Sequence, residues 1–413
     1  MTAKGAQGRY DVAIIGGGLV GASLACALSP LGLKTALVEA VAPRASTQPS
    51  YDDRTLALSA SSCSILEGLG IWPMVAHNAT PIREIQVREL ERPGHVLMDP
   101  SELGLDRFGH VLEARVFGAA MAETLPRLEN VDYLCPVSVT GLETGDDDCL
   151  VSVRGLEGSD AISAKLVVGA DGAESFVREA HGIECERHDY GQSAVICNVT
   201  PEQDHRGRAF ELFTPSGPMA VMPHVEGRCG LIWCVPGDEV EGLMNLSEAE
   251  FMRQANARFG RRLGRFLKMG SRSSYPLKLV RAQEDYRQRT VILGNAAHAI
   301  HPVGAQGFNL GLRDTATLAE VLADALRADP ESDPGDLDLL RRYSAWRRPD
   351  QEGTIAYSDG LARIYSNPTP AVSLGRLAGL LAHAFLPPLR RQMAVKAMGF
   401  RGKIPRLARG EPL

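Results

Sequence analysis

The run Gly16-Gly17-Gly18-Leu19-Val20-Gly21 constrains this chain more than any other. It follows residues 10–16 (YDVAIIG), a short apolar stretch rich in β-branched side chains that reads as a buried strand. Small residues from Leu19 to Ser29 then read as a helix, ended by Pro30 and Gly32. Lys34 to Glu39 (KTALVE) is the next strand. Strand, glycine turn, helix and strand make a βαβ unit, whose two strands have to run parallel. Gly16, Gly18 and Gly21 match GxGxxG. The first glycine permits the tight turn, the second admits a pyrophosphate against backbone, and the third lets helix and strand pack closely. The helix start supplies free N–H groups and positive potential. Glu39 closes the second strand, where a carboxylate accepts from ribose hydroxyls and disfavours a 2′-phosphate. The unit therefore predicts an FAD or NAD site; a purely structural glycine turn is the alternative.

Two further glycine-centred segments follow. Residues 167–178 (VVGADGAESFVR) read as strand, turn and helix. Asp171 is placed to accept from turn amides or cofactor hydroxyls, Ser175 to cap the helix, and Arg178 to meet phosphate or solvent; a simple Asp-capped helix start is the alternative. Residues 290–293 (TVIL) form a strand that Gly294-Asn295-Ala296-Ala297-His298 leaves. Pro302 to Gly307 turns the chain into a long helix with apolar residues at 310, 312, 318, 321, 322 and 325. The start of that helix again offers N–H groups to an anion or electron-rich group.

Between these landmarks the pattern changes. Residues 81–98 and 184–275 alternate apolar and polar, as antiparallel strands do, with a helix over Ser247–Arg265. Residues 333–365 and 371–400 are mainly helical, and Pro43–Tyr51 is a polar loop. The expected fold class is α/β. A Rossmann-like FAD-binding domain (1–80, 104–183 and 276–350) interleaves with an antiparallel-sheet substrate domain (81–103 and 184–275), and C-terminal helices occupy 351–413.

The composition narrows function. A net charge of −6 gives no basic field for nucleic acid. Eight cysteines make no CxxC pair and no zinc spacing, which predicts reduced thiols and no metal. His298 and His301 stand three apart beside Pro302, without a carboxylate near them in sequence. The first ten residues carry no apolar signal segment, and the longest apolar stretch, 377–389, is too short to span a bilayer. The expectation is a cytoplasmic protein, or one peripheral to the inner membrane.

In this order and spacing, GxGxxG, DGxxSxxR (Asp171 to Arg178) and GNAAHAIHPVGAQG (Gly294 to Gly307) resemble the single-component FAD-dependent aromatic hydroxylases of the para-hydroxybenzoate hydroxylase fold. HPVGAQGFNLGLRD, Asp53-Arg54 with Leu56–Ser59, and the tail from Arg390 to Gly410 are similar to the ubiquinone-biosynthesis hydroxylases. Asn295, where most of the family has Asp, resembles the 2-polyprenyl-6-methoxyphenol hydroxylase branch. The resemblance implies that Gly16, Gly18, Gly21 and Glu39 hold the ADP half of FAD. It implies that Arg54 and Arg115 lie near the pyrophosphate or a transient NAD(P)H, with a surface salt bridge as the alternative for each. Asp171 and Asn295 touch cofactor, while Pro302, Gly307, Phe308 and Asn309 sit against the isoalloxazine. The implied activity is hydroxylation of a polyprenylated phenol by O2 through a flavin C4a-hydroperoxide. Another ring position of the same pathway, a flavin-dependent reductase or dehydrogenase, or a silent subunit of a ubiquinone-synthesis complex are the other readings. His298 is the candidate acid–base group, with a hydrogen-bonded turn histidine as the alternative. The leucines and basic residues of 371–409 either meet an anionic membrane surface or pack on the body. Gly304-Ala305 reverses the family's usual Ala-Gly order; the intact Gly307 and helix start predict that the turn tolerates it.

Overall fold

The computed structural model describes residues 8–42, 54–155, 158–367 and 369–413. The polar loop 43–51 and Asp53 lie outside the described residues.

The βαβ unit forms as the sequence predicts. The strand Gly8–Ile15 pairs in parallel with Thr35–Val38 on one side and with the end of Gly158–Gly169 on the other. Thr35–Val38 and residues 166–169 are buried throughout, because helices cover one face of the sheet and the strands Val137–Thr144 and Cys149–Gly155 cover the other. Val131–Leu134 and Thr290–Ile292 extend this parallel core outward. The helix Leu19–Leu28 packs its small side chains under the long helix Gly307–Ala328. The carboxyl ends of the parallel strands thus meet two helix starts, the place where open α/β sheets bind ligands.

A second, mostly antiparallel sheet of nine strands draws on separated stretches of chain. Cys185–Pro201, Cys229–Pro236, Met219–Pro223 and Arg208–Phe213 lie side by side in it. Glu84–Glu89 joins Arg208–Phe213 in parallel and carries Val96–Met98 on its other edge. One face packs on the helix Glu248–Phe259 through Phe251, Ala255 and Phe259. The other face looks back toward the first sheet.

The C-terminal region is two helices, Pro370–Phe385 and Pro387–Ala397, bent by 94°. The two prolines 387 and 388 account for the break, since a proline cannot continue the preceding helix. Among the described residues no single helix is long and apolar enough to cross a membrane; this bent pair passes that test only when its two halves are taken together.

Candidate active site

The glycine turn is dictated by contact. Gly16 adopts φ +105°, and a Cβ there would stand 2.4 Å from the Ala170 carbonyl oxygen. A Cβ on Gly21 would stand 1.9 Å from the Gly16 carbonyl oxygen, so helix and strand approach as only glycine allows. Gly18 is the N-cap of the Leu19–Leu28 helix and offers no capping side chain. Glu39 is buried, and both its oxygens are held: Gly17 N–H donates to Oε2 at 2.8 Å and Val41 N–H to Oε1 at 2.8 Å. The carboxylate is thereby fixed at the cavity edge, with lone pairs left for further donors.

Gly16, Gly18, Glu39, Arg54, Asp171, Asn295, Pro302, Gly307 and Phe308 all line one cavity of about 970 Å³ between the two sheets. Its size is at the upper end for small-molecule sites. An FAD diphosphate fits it. Two helix starts, Leu19 and Gly307, open onto it without a side-chain cap or an acidic residue in the first turn. The Gly16 and Gly17 N–H groups are taken by the Val38 carbonyl and Glu39, so the donors left for a diphosphate are those of the helix starts.

Asp171 accepts from Val177 N–H at 3.1 Å, while burial pushes its carboxyl up against the lowering effect of Ser175 and Val177. Ser175 caps the helix as expected, accepting from Arg178 N–H at 3.0 Å. Arg178 meets neither phosphate nor solvent. It is buried and donates to the carbonyls of Ala173 (2.8 Å) and Ala296 (2.9 Å), tying the second motif to the third.

Other expected site residues take other positions. His298 does not face either large cavity. Its Nε2 lies 2.5 Å from Asp314 Oδ2, buried on both sides, so it is the hydrogen-bonded histidine rather than the acid–base group. Asp314 also accepts from Gly294 N–H, Arg347 Nε–H (2.8 Å) and Gln351 Nε2–H, and Arg347 and Arg313 share Asp350. Burial opposes ionisation of Asp314, but His298 and Arg347 outweigh it and hold the carboxyl well below the usual range. Asn309 does not present its amide to the cofactor cavity. Its Oδ1 accepts from Ser59 N–H (2.8 Å) and Ser62 Oγ–H (2.7 Å), and its Nδ2 donates to Ala57 and Ala305. The amide therefore joins the strand Thr55–Ser59 to the long helix. Arg115 is half-exposed, pairs with buried Glu113 and is absent from the cavity lining. His301 is fully buried, and burial pushes its imidazole down to about 4, so it stays neutral.

A second cavity of about 560 Å³ adjoins the first. Val87, Met98 and Phe213 from the second sheet, Ile82 from the strand Thr80–Ile82, and Leu380 and Met393 from the C-terminal helices give it an apolar wall. Two clasps hold those helices over it: Arg376 pairs with Glu89 at 3.0 Å and Arg390 with Glu102 at 2.7 Å. These two cations are thus internal ties and are not free for a membrane surface. Ala57, Glu211, Met222, Val303 and Ala305 line both cavities. Ala305, the reversed residue of the turn, adopts φ +51° after Gly304 at +72°. The turn accepts the alanine in the left-handed region, and Ala305 N–H still bonds the Pro302 carbonyl at 2.8 Å.

Glu211 is the group that motif reading passes over. It sits in the strand Arg208–Phe213, where Ala209, Glu211 and Phe213 share the cavity side. An acid inside the apolar run AFELF is the one trace it leaves in the sequence.

Residues 9–357 match the family model of the FAD binding domain. The chain is 37% identical over 406 residues to ubiquinone hydroxylase UbiL of Rhodospirillum rubrum, covering 98% of this chain and 93% of that one. The chain belongs to the FAD-dependent hydroxylases of ubiquinone biosynthesis. It is 34% identical to the 3-demethoxyubiquinol 3-hydroxylase of Escherichia coli, over 94% of this chain and 98% of the relative. Its fold matches p-nitrophenol 4-monooxygenase PnpA of Pseudomonas putida with a TM-score of 0.79 at 21% identity, covering 96% and 99% of the two chains. As a hydroxylase of this family it is an FAD-dependent monooxygenase, acting with O2 on a phenolic ring.

Proposed function

We propose that this hydroxylase places one atom of O2 on the ring of a polyprenylated phenol, with 2-polyprenyl-6-methoxyphenol as the precursor that Asn295 favours. The apolar cavity sharing a wall with the cofactor cavity supports the reading, because there a ring would lie beside the cofactor and a long chain beneath the C-terminal helices. Bound and reduced, FAD supplies with O2 an oxygen atom electrophilic enough for an electron-rich ring.

The chain's own part is to bind, orient and keep dry. Gly16, Gly18 and the start of the Leu19 helix would hold the diphosphate, and Glu39 the adenosine ribose. N–H groups at Gly307 and Phe308 would face the cofactor's electron-rich edge, stabilising negative charge there without a full cation. Asn295 keeps an amide that both donates and accepts, so binding survives the loss of the Asp charge. The clasped helices exclude water from the ring, which suppresses wasteful loss of peroxide. The sequence holds no second GxGxxG, so NAD(P)H would reduce the cofactor from a transient site.

Leu374 (69% exposed), Phe385 (77%) and Leu386 (50%) are exposed along the bent helices, as is Arg391. That surface supports peripheral contact with a membrane carrying the lipid substrate, or with other members of a ubiquinone-synthesis complex. Deleting the gene in its host and identifying the accumulated precursor by mass spectrometry tests the assignment. A singly hydroxylated, methoxylated polyprenylphenol, and label from O2 in the product of the purified enzyme, are expected. Unchanged ubiquinone levels, or a product free of label, overturn it.

A further inference from the structure

Among the described residues five make the wall common to the two cavities, and of these only Glu211 carries an ionisable group. Its carboxyl opens into the cavity space. Among the described residues the flanking strands bring no counter-charge to it: Ala220 and Val87 are its partners there. Tyr357 and Tyr365 on the helix Leu337–Ser366, and Cys234 on Cys229–Pro236, are the titratable groups that feel its charge. Burial pushes both tyrosines up to about 12 and the thiol higher still, so all three are neutral at physiological pH. His383, Lys396 and Arg401 line the phenol cavity but do not register at Glu211.

We propose that Glu211 is the acid–base residue of the hydroxylation, its carboxylate taking the phenol O–H proton as the new ring C–O bond forms. The proposal rests on the monooxygenase reading above. Deprotonation drives electron density into the ring at the positions ortho and para to the oxygen, which is what an electrophilic oxygen atom needs. The ring carbon bonds to one oxygen of O2; Glu211 then returns its proton to the phenol oxygen, while the C–H proton that carbon gives up passes to the other oxygen of O2, which leaves as water, and the ring regains aromaticity. Phenol, O2, two protons and two electrons from a reduced nicotinamide donor give a dihydroxylated ring and water. Burial alone pushes the Glu211 carboxyl up to about 7, so at neutral pH both the accepting and the donating form are populated. His298, which lies outside both cavities, leaves this role open.

The test uses the FAD-loaded enzyme and a phenol bearing a short prenyl chain, comparing wild type with Glu211→Gln and Glu211→Asp. Glu211→Gln should keep its flavin absorbance and bind the phenol within about 3-fold of wild type, while kcat falls roughly 10²- to 10⁴-fold. The rise of kcat through neutral pH should vanish in Gln and return in part in Asp. A nitrophenol probe, whose phenolate absorbs visibly, gives a readout free of turnover. Above about pH 7 the ionised Glu211 should hold the probe's O–H proton in place by like-charge repulsion, so wild type should show less phenolate than the Gln variant. A Gln variant with wild-type kcat and pH profile, an unchanged phenolate band, or loss of FAD on this exchange would overturn the proposal. Inactive wild type under the same conditions refutes the monooxygenase reading instead, whereas active wild type with an indifferent Gln variant refutes Glu211 alone.

Discussion

Asp314 is where a single substitution should be felt in both stability and cofactor binding. It is fully buried and accepts four hydrogen bonds, two at each oxygen. Asp314→Asn keeps the shape but leaves one oxygen. If the new NH2 faces Arg347 and Gln351, two donors oppose a donor. If it faces the other way, His298 can change tautomer and accept, but Gly294 N–H loses its partner. In both orientations Arg313 and Arg347 are left with Asp350 alone, one uncompensated charge in the interior. Breaking a buried pair in this way costs about 3–5 kcal/mol. With about 2.1 cal/mol/K per residue, the 413 residues unfold with an entropy of about 0.9 kcal/mol/K, so the melting temperature should fall by about 3–6 °C. The same carboxylate anchors the Gly294–Ala296 turn that carries Asn295 to the cofactor cavity, so retained FAD should drop as well. Calorimetry and flavin absorbance after gel filtration measure the two effects. Because the folded carboxyl lies below its ordinary value, its stabilisation is present above that value and is lost only as pH falls through the folded one. The gap between the proteins should therefore be constant above about pH 5 and shrink only in strong acid. A variant melting within about 1 °C of wild type and keeping its FAD would refute the reasoning.

Three further outcomes follow from the same geometry. Gly21→Ala sets a methyl carbon 1.9 Å from a backbone oxygen and should abolish FAD retention, read as colourless protein. Ala305→Gly relieves a left-handed alanine costing about 1 kcal/mol, partly offset by glycine's extra unfolded-state freedom, so differential scanning should show a slight rise in melting temperature. Glu211→Gln should be pH-dependent in stability: the folded carboxyl sits near 7 against 4.5 when free, so ionisation destabilises the fold as pH rises between those values. The variant should gain about 3 kcal/mol over wild type at pH 8 and nothing at pH 4, checked by denaturation at both.

The glycine sites were legible because each is fixed by local backbone geometry. Gly16 and Gly21 meet carbonyls a few residues away or on the adjoining strand, and a spacing of strand, turn and helix is enough to place them. The break at residues 387 and 388 was equally open to view, since proline acts on its own helix. Misplaced roles are those decided by partners distant in the chain. Asn309 is taken up by Ser59, 250 residues earlier, and His298 by an aspartate one helix away. Arg178 likewise bonds a carbonyl 118 residues on. No spacing rule carries such pairings. Glu211 was hidden for a related reason: whether an acid in an apolar strand faces core or cavity depends on what the opposite wall leaves empty.

That common wall has a thermodynamic consequence. Cofactor and phenol would touch the same five residues, so each ligand would form part of the other's surroundings. Linkage then requires reciprocity: whatever factor bound phenol adds to the affinity for FAD, bound FAD adds to the affinity for phenol. A cell short of flavin would lose more than turnover. Its apoprotein would also release the lipid, and precursor would return to the membrane instead of waiting on an idle enzyme.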